Sequence, residues 1–239
     1  MKILVLAAHP DDEVLGMGGL LKKFSTSGHE IKVVFLATGI MARRSDDYNN
    51  STKYSVSDKL MNDMEKQISQ LQKDAKNALS ILGVKNIQFE DFPDNEMDMI
   101  SNLEITKKIE TIIDEFGPDT VYTHSQHDIN VDHRQICDAT ITATRPKKNS
   151  NVKEVISFEV PSSTEWYFPQ KFSPNIFVDI SKELKFKLKA MQAYKNELRE
   201  FPHPRSIEAL EIIAKRWGTV CGFNAAEAFC LVRSLIQNN

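Results

Sequence analysis

Apolar and polar positions fall into blocks along the first two-thirds of the chain, and the blocks switch between two periods. Residues 2–8 carry Ile3-Leu4-Val5-Leu6-Ala7-Ala8, an unbroken apolar run that reads as a strand buried on both faces. Ile31 to Ala37 reads as a second such strand, and a helix over 14–27, ending near Gly28, lies between them. Over 58–82, Leu60, Met64, Ile68, Leu71, Ala75, Ala78 and Leu82 recur every three or four residues. That spacing predicts a long amphipathic helix, stopped by Gly83. A short strand at 86–89, a helix at 101–116 closed by Gly117-Pro118, and a strand at 120–123 follow. A helix from Asp132 and a strand at 155–158 complete this part. The carboxyl third reads as a strand over 175–180, a helix over 181–199, a Pro202-His203-Pro204 break and a helix over 205–216.

Strands alternating with helices predict an α/β fold: a Rossmann-like, doubly wound, mostly parallel sheet with helices on both faces and a carboxyl-terminal cap. No repeat, low-complexity tract or Gly/Ser linker divides the chain, so 1–239 reads as a single domain, with the core over 1–160 and cap elements over 161–239. In such a sheet the loops after parallel strands emerge on one edge, where ligands bind. The stretches 9–13, 38–57, 90–98 and 124–133 each follow a predicted strand. His9, Arg43, Asp94 and His133 are therefore expected around one pocket.

Composition narrows the classes. A chain of 239 residues can bury a full core, and 41% hydrophobic with 26% charged residues is ordinary for a globular protein. A net charge of −3 offers no basic footprint for nucleic acid. Cys137, Cys221 and Cys230 are odd in number and lack metal-type spacing; they read as buried thiols in a reducing compartment. The first strand begins at once, without the pattern of a signal peptide, and no apolar stretch approaches the ~18–20 residues of a membrane span. The expectation is a cytoplasmic protein with no membrane span; homo-oligomerisation stays open.

The chemistry gathers in two loops. The turn after the first strand is His9-Pro10-Asp11-Asp12-Glu13, where small residues are usual. His9 and Asp12 offer a nitrogen and an oxygen ligand suited to Zn2+, and Asp11 stands beside them as a base. The segment His127-Asp128-Ile129-Asn130-Val131-Asp132-His133 supplies a third ligand, and His133 completes a three-ligand catalytic set with one open position. The competing structural reading makes Asp11 or Asp12 a helix cap over the N–H groups of Val14 and Leu15. A non-catalytic nucleotide-binding module would need Gly-x-Gly-x-x-Gly in this turn, and the acidic sequence found there would repel phosphate. Gly16-Met17-Gly18-Gly19 comes later, within the helix, where close helix–sheet packing accounts for it.

Ala8-His9-Pro10-Asp11-Asp12-Glu13 with Gly16-Met17-Gly18-Gly19 resembles the amino-terminal signature of the LmbE/PIG-L family of zinc-dependent N-deacetylases. Thr38-Gly39 with Arg43-Arg44, Phe92-Pro93-Asp94-Asn95, Asp128-x-Asn130-x-Asp132-His133-Arg134 and Ala225-Ala226-Glu227-Ala228-Phe229 resemble later family segments, in the same order. The resemblance implies Zn2+, or another divalent metal, on His9, Asp12 and His133, with Asp11 as general base. It implies that Asp132 orients an imidazole. It further implies a hydrolase that removes the acetyl group from an N-acetylated amino sugar such as an N-acetylglucosamine conjugate, free, nucleotide-linked or glycosidically linked. Water activated on the zinc attacks the acetamide carbonyl. An acylated amine that is not a sugar is the alternative substrate.

This chain departs from the family pattern at Asn130, where relatives carry a histidine. An amide can donate to an oxyanion but delivers no proton. The acid is then Asp11, His127 or His124, with His127 ranked first because it shares the ligand loop; a structural role for either histidine stays open. Arg43 and Arg44 resemble a contact to sugar hydroxyls or a phosphate, against a reading as a solvated basic pair. Asp94 and Asn95 either bond sugar hydroxyls or form an Asx turn after Pro93. Arg205, Arg216, Trp217 and Glu227 could close one side of the pocket, and for Arg216-Trp217-Gly218 a helix terminus is the competing reading. His29 and His203 receive no role.

Overall fold

In the computed structural model, which describes residues 1–40, 58–147, 150–169 and 171–236, strand β1 (Lys2–Ala7) sends alternate side chains to opposite faces of a sheet. Ile3, Val5 and Ala7 enter one apolar cluster, while Leu4 and Leu6 enter another. Strand β2 (Glu30–Ala37) divides in the same way, with Val33 and Phe35 on one face and Val34 and Leu36 on the other. Helices α1 (Asp12–Thr26) and α2 (Asp58–Leu82) contribute to the first cluster, and α3 (Asn102–Phe116) and α4 (Val131–Ala143) to the second. Both faces of each strand are covered, which is why the runs contain no polar alternation.

The remaining strands are β3 (Asn86–Phe92), β4 (Thr120–His124), β5 (Glu154–Phe158), β6 (Ile176–Asp179) and β7 (Ala226–Ser234). Their order is β3-β2-β1-β4-β5-β7-β6, with β1 to β5 parallel and β7 antiparallel to both its neighbours. The expected doubly wound architecture is therefore present. The order reverses between β1 and β4, so the loops leaving these two strands diverge and open a crevice at their carboxyl ends.

The carboxyl third differs from the sequence reading in three places. Strand β7 had no predicted counterpart, because Glu227 interrupts its apolar run. Glu227 is nonetheless buried: its carboxylate accepts from Gly19 and Leu20 N–H at 2.9 and 2.7 Å and from Lys187 Nζ at 2.7 Å. Those backbone donors are free because α1 is kinked at Met17 (φ −146°, ψ 24°). The neighbouring glycines serve packing, since a Cβ on Gly16 would lie 2.5 Å from the Phe158 ring. Helix α5 (Leu184–Met191) is shorter than the predicted 181–199. Helix α6 (Ile207–Cys221) runs past 216, because Gly218 is an interior residue pressed against the Phe223 carbonyl and left-handed Gly222 ends the helix. Cys137 is buried as expected, whereas Cys221 and Cys230 are only half-buried. Among the described residues, no helix is long and apolar enough to cross a membrane.

Candidate metal centre

The turn from β1 into α1 sends its three carboxylates to three different places. Asp11, at the helix N-cap, has φ 122° and ψ −28°, a strained conformation for a residue with a side chain. Its carbonyl, not its carboxylate, accepts from Val14 and Leu15 N–H at 3.1 and 2.9 Å. The capping duty thus falls on the backbone, and the side chain is released to the crevice. Asp12 Oδ2 accepts from His9 N–H at 2.8 Å, which folds the turn back on itself. Glu13 is turned inward, accepting from Tyr194 Oη at 2.6 Å and from Asp11 N–H at 3.0 Å. Burial pushes its carboxyl up to about 8, against the Tyr194 hydrogen bond.

His9, Asp12 and His133 converge at the β1/β4 crevice, with ligand atoms all within 4.8 Å of one another. Asp12 Oδ2 lies 3.5 Å from His9 Nδ1 and 3.3 Å from His133 Nε2. Asp12 Oδ1 is buried without a hydrogen bond, and the two buried His133 nitrogens face carboxylate oxygens of Asp12 and Asp128. Unsatisfied buried polar atoms are costly, and two imidazoles with a carboxylate are a donor set that a divalent ion fits. Burial works against charge on both imidazoles, yet the carboxylates prevail. Asp12 and Asp128 raise His133 to about 9, and hydrogen bonds to Asp12, Asp132 and Asp94 carry His9 well above its ordinary value. Burial would raise Asp12, but His133 and His9 hold it well below the usual carboxylate range.

Each imidazole has its own carboxylate partners. Asp128 Oδ2 lies 3.1 Å from His133 Nδ1, and Asp128 is in turn held by the hydroxyls of Ser163 and Thr164. Asp132, adjacent to His133 in sequence, instead meets His9: its Oδ2 is 3.0 Å from His9 Nε2. Asp94 Oδ1 is also 3.0 Å from that nitrogen, so His9, Asp94 and Asp132 form a second group with metal-ligand spacing. Asn95, in the left-handed region (φ 56°), donates its N–H to Asp132 Oδ2 at 2.6 Å. Asn130 caps α4, its Oδ1 accepting from Asp132 N–H at 2.9 Å, which leaves its amide nitrogen as the side-chain donor.

His124 is fully buried. Its Nε2 accepts from Ala8 N–H at 2.7 Å, and its ring stacks on His133 with centroids 3.9 Å apart. Burial, followed by the nearby His133, lowers its pKa well below the usual value. The His127 ring lies 5.9 Å from that of Tyr167.

A cavity of about 120 Å³ opens over the cluster, lined by His9, Asp11, Asp94, Asn95 and Asn130 among others, and closed by Glu197 and Arg205. Arg205 Nη1 lies 3.0 Å from Asp11 Oδ2. Burial pushes Asp11 up to about 7 despite this cation. Of the carboxyl-terminal residues expected at the pocket, only Arg205 lines it. Arg216 and Trp217 face a different hollow, and Glu227 is engaged with Lys187. Arg43 and Arg44 lie outside the described residues. Sequence reasoning missed Glu197 and the pairing of Asp128 with His133. For Asp128 the signal was present, since it belongs to the Asp-x-Asn-x-Asp-His segment; for Glu197 no pattern marked it.

Residues 4–144 match the family model described as PIG-L: GlcNAc-PI de-N-acetylase. The chain is 29% identical to diacetylchitobiose deacetylase of Thermococcus kodakarensis, over 97% of this chain and 83% of that protein. The structure is similar to N,N'-diacetylchitobiose deacetylase from Pyrococcus horikoshii, with a TM-score of 0.72 at 24% identity, covering 97% of this chain and 84% of the other. It is also similar to the zinc-inhibited form of the teicoplanin deacetylase Orf2, with a TM-score of 0.74 at 19% identity over 98% and 99% of the two chains.

Proposed function

Because the chain belongs to the PIG-L (LmbE) family, we propose that it is a zinc-dependent N-deacetylase acting on an N-acetylated amino sugar, with 1–239 as one catalytic domain. The observation that carries this reading is the buried His9, Asp12 and His133 set, with its unsatisfied Asp12 Oδ1, beside a buried Asp11 at the strand-order reversal. His9, Asp12 and His133 would hold a divalent ion, which when bound would polarise an acetamide carbonyl and acidify water.

The chain's own residues supply the rest. Asp11 accepts a proton as the nucleophile forms and returns it to the leaving amine. Arg205 anchors the Asp11 carboxylate on the side of Glu197. The amide nitrogen of Asn130 donates to the oxygen that gains charge at the acetamide carbon. Asp94 and Asp132 hold His9 through Nε2, which leaves Nδ1 on the side of Asp12, and Asp128 holds His133 through Nδ1. This division gives Asp94 an orienting duty and leaves the exposed Asn95 as the contact to sugar hydroxyls. Arg43 and Arg44 are retained as substrate contacts on the family resemblance alone. His127 is left out, because it packs towards Tyr167. The cytoplasmic location we assign accords with three free thiols.

The test is acetate release from a panel of N-acetylated sugars and simple acetamides, before and after chelation and zinc return. Release from the sugars that chelation abolishes and zinc restores is the expected result. Equal release from simple acetamides would favour an amidase of broader scope, and no release from any of them would overturn the reading.

A further inference from the structure

Asp11 holds a backbone conformation that its residue type disfavours. Its φ of 122° lies where glycine alone is at ease, and such a position persists only when surrounding contacts over-determine it. On one side, its carbonyl is fixed by Val14 and Leu15 N–H. On the other, its N–H donates to Glu13 Oε2 at 3.0 Å. Glu13 is fully buried, and its second oxygen, Oε1, accepts from Tyr194 Oη at 2.6 Å. A chain of hydrogen bonds from Tyr194 through Glu13 thus ends on the backbone of the strained residue.

Tyr194 is itself held. It is fully buried in the turn that follows α5, and α5 is tied to α1 where Lys187 Nζ donates to the Leu15 carbonyl at 2.8 Å. Three residues on, Glu197 N–H donates to the Tyr194 carbonyl at 3.0 Å. Glu197 Oε2 lies 3.2 Å from Arg205 Nη1, the nitrogen that meets Asp11 Oδ2 at 3.0 Å. One turn of the cap therefore reaches Asp11 twice, at the backbone through Tyr194 and Glu13 and at the carboxylate through Glu197 and Arg205. Tyr194 and Glu13 stand apart from the residues that line the cavity over the His9 cluster.

We propose that Tyr194 and Glu13 are positioning residues for Asp11: anchored in the carboxyl-terminal cap, they fix the positive-φ backbone that aims its carboxylate into the cavity beside His9, Asp12 and His133. The inference rests on the deacetylase reading above, and it makes the cap part of the catalytic unit. Packing alone does not call for this pair, since a phenylalanine and an aliphatic residue would fill the space without the cost of a buried carboxyl group. What the carboxyl adds is an acceptor for two donors at once, one of them the backbone of the base.

Tyr194→Phe removes one hydroxyl and keeps the ring in the core. It is expected to lower kcat for acetate release from N-acetylglucosamine by about tenfold or more, within the roughly 10²-fold that an ångström of misplacement costs, with KM and zinc content unchanged. Glu13→Gln, left with one acceptor for two donors, is expected to show the same loss, and it carries the test if Tyr194→Phe fails to fold. The deciding comparison is made in Asp11→Asn, where no base remains to be positioned. In that background Tyr194→Phe is expected to change the residual rate by less than about twofold. An equal fold-loss in both backgrounds, or no loss in the wild type, overturns the positioning role and leaves the deacetylase reading intact. Hydrogen exchange at the Asp11 amide gives a readout without turnover: Tyr194→Phe is expected to speed it while the amides of β1 stay as protected as in the wild type. Unchanged exchange at Asp11 overturns the hold on its backbone. Faster exchange there, with no acetate released by the wild-type protein, supports the hold and refutes the deacetylase reading instead.

Discussion

Arg205 Nη1 lies 3.0 Å from Asp11 Oδ2, joining the turn before α6 to the turn after β1 in a single ion pair. The same nitrogen is 3.2 Å from Glu197 Oε2, so one guanidinium serves two buried carboxylates. Replacing it with Gln keeps a polar group but frees the Asp11 side chain. Misplacing a reacting group by about an ångström costs roughly 10²-fold, and Arg205→Gln is expected to lower kcat on that scale while zinc content is retained. Steady-state kinetics with metal analysis on the same sample checks this; unchanged turnover would remove Arg205 from the site.

Asp11 and His133 should separate chemistry from metal binding. Asp11→Asn is expected to keep bound zinc and lose about 10²–10⁴ in rate, the usual contribution of a general base. His133→Ala is expected to lose the zinc itself, because it removes one of the three buried groups that converge there. Zinc retained in His133→Ala at the wild-type level would sink the ligand assignment.

Asn130 combines two duties that substitutions can part. Its Oδ1 caps α4 and its amide nitrogen is the remaining donor. Asn130→Ala is expected to lose about 1 kcal/mol of stability with the cap and about 10²–10³ in rate with the donor. Asn130→Asp keeps the capping oxygen, so its melting temperature should stay near wild type while its rate falls like that of the alanine variant. Equal activity in Asn130→Asp and wild type would show that the amide donor is not used.

Glu159 makes stability depend on pH. Burial raises its carboxyl from 4.5 to about 7, against the hydrogen bond from Trp217 and the charges of Lys187 and Arg216, with Glu165 adding to the rise. A folded-state pKa above the unfolded one means the native protein binds the extra proton. The stability this contributes is full below pH 4.5 and is lost as pH rises through about 7. Glu159→Gln, which cannot ionise, should flatten this part of the melting profile, and an unchanged slope in the variant would assign it to other groups.

Glu227 and Lys187 form a buried pair at 2.7 Å whose carboxylate also satisfies two N–H groups at the α1 kink. Removing one member of a buried pair costs about 3–5 kcal/mol because the other charge is left uncompensated. Glu227→Ala is expected to lower the unfolding free energy measured by urea denaturation by that much. A loss below about 1 kcal/mol would mean that water replaces the carboxylate.

The architecture and the convergence of the candidate ligands were legible from local pattern. Runs such as Ile3 to Ala8 and the 3.6-residue spacing of α2 report burial directly, because each residue's environment follows from its neighbours in the same element. Strand ends then place His9, Asp12 and His133 on one edge, since loops after parallel strands must emerge together. What the chain could not disclose locally is which partner each side chain meets across the crevice. Asp132 was adjacent to His133 in sequence yet faces His9, because the start of α4 sends consecutive residues in different directions. Asp128 takes its place at His133. Arg205 reaches Asp11, with Glu197 on the same guanidinium, across segments remote in sequence, and Glu227, expected at the pocket, instead accepts from the N–H groups at the Met17 kink. Hydrophobic periodicity and turn chemistry therefore determined the sheet, its edge and the donor types on that edge. Packing decided the pairing of imidazoles with carboxylates and brought in the cation at Asp11, because those contacts join segments whose separation along the chain carries no information about their distance in space.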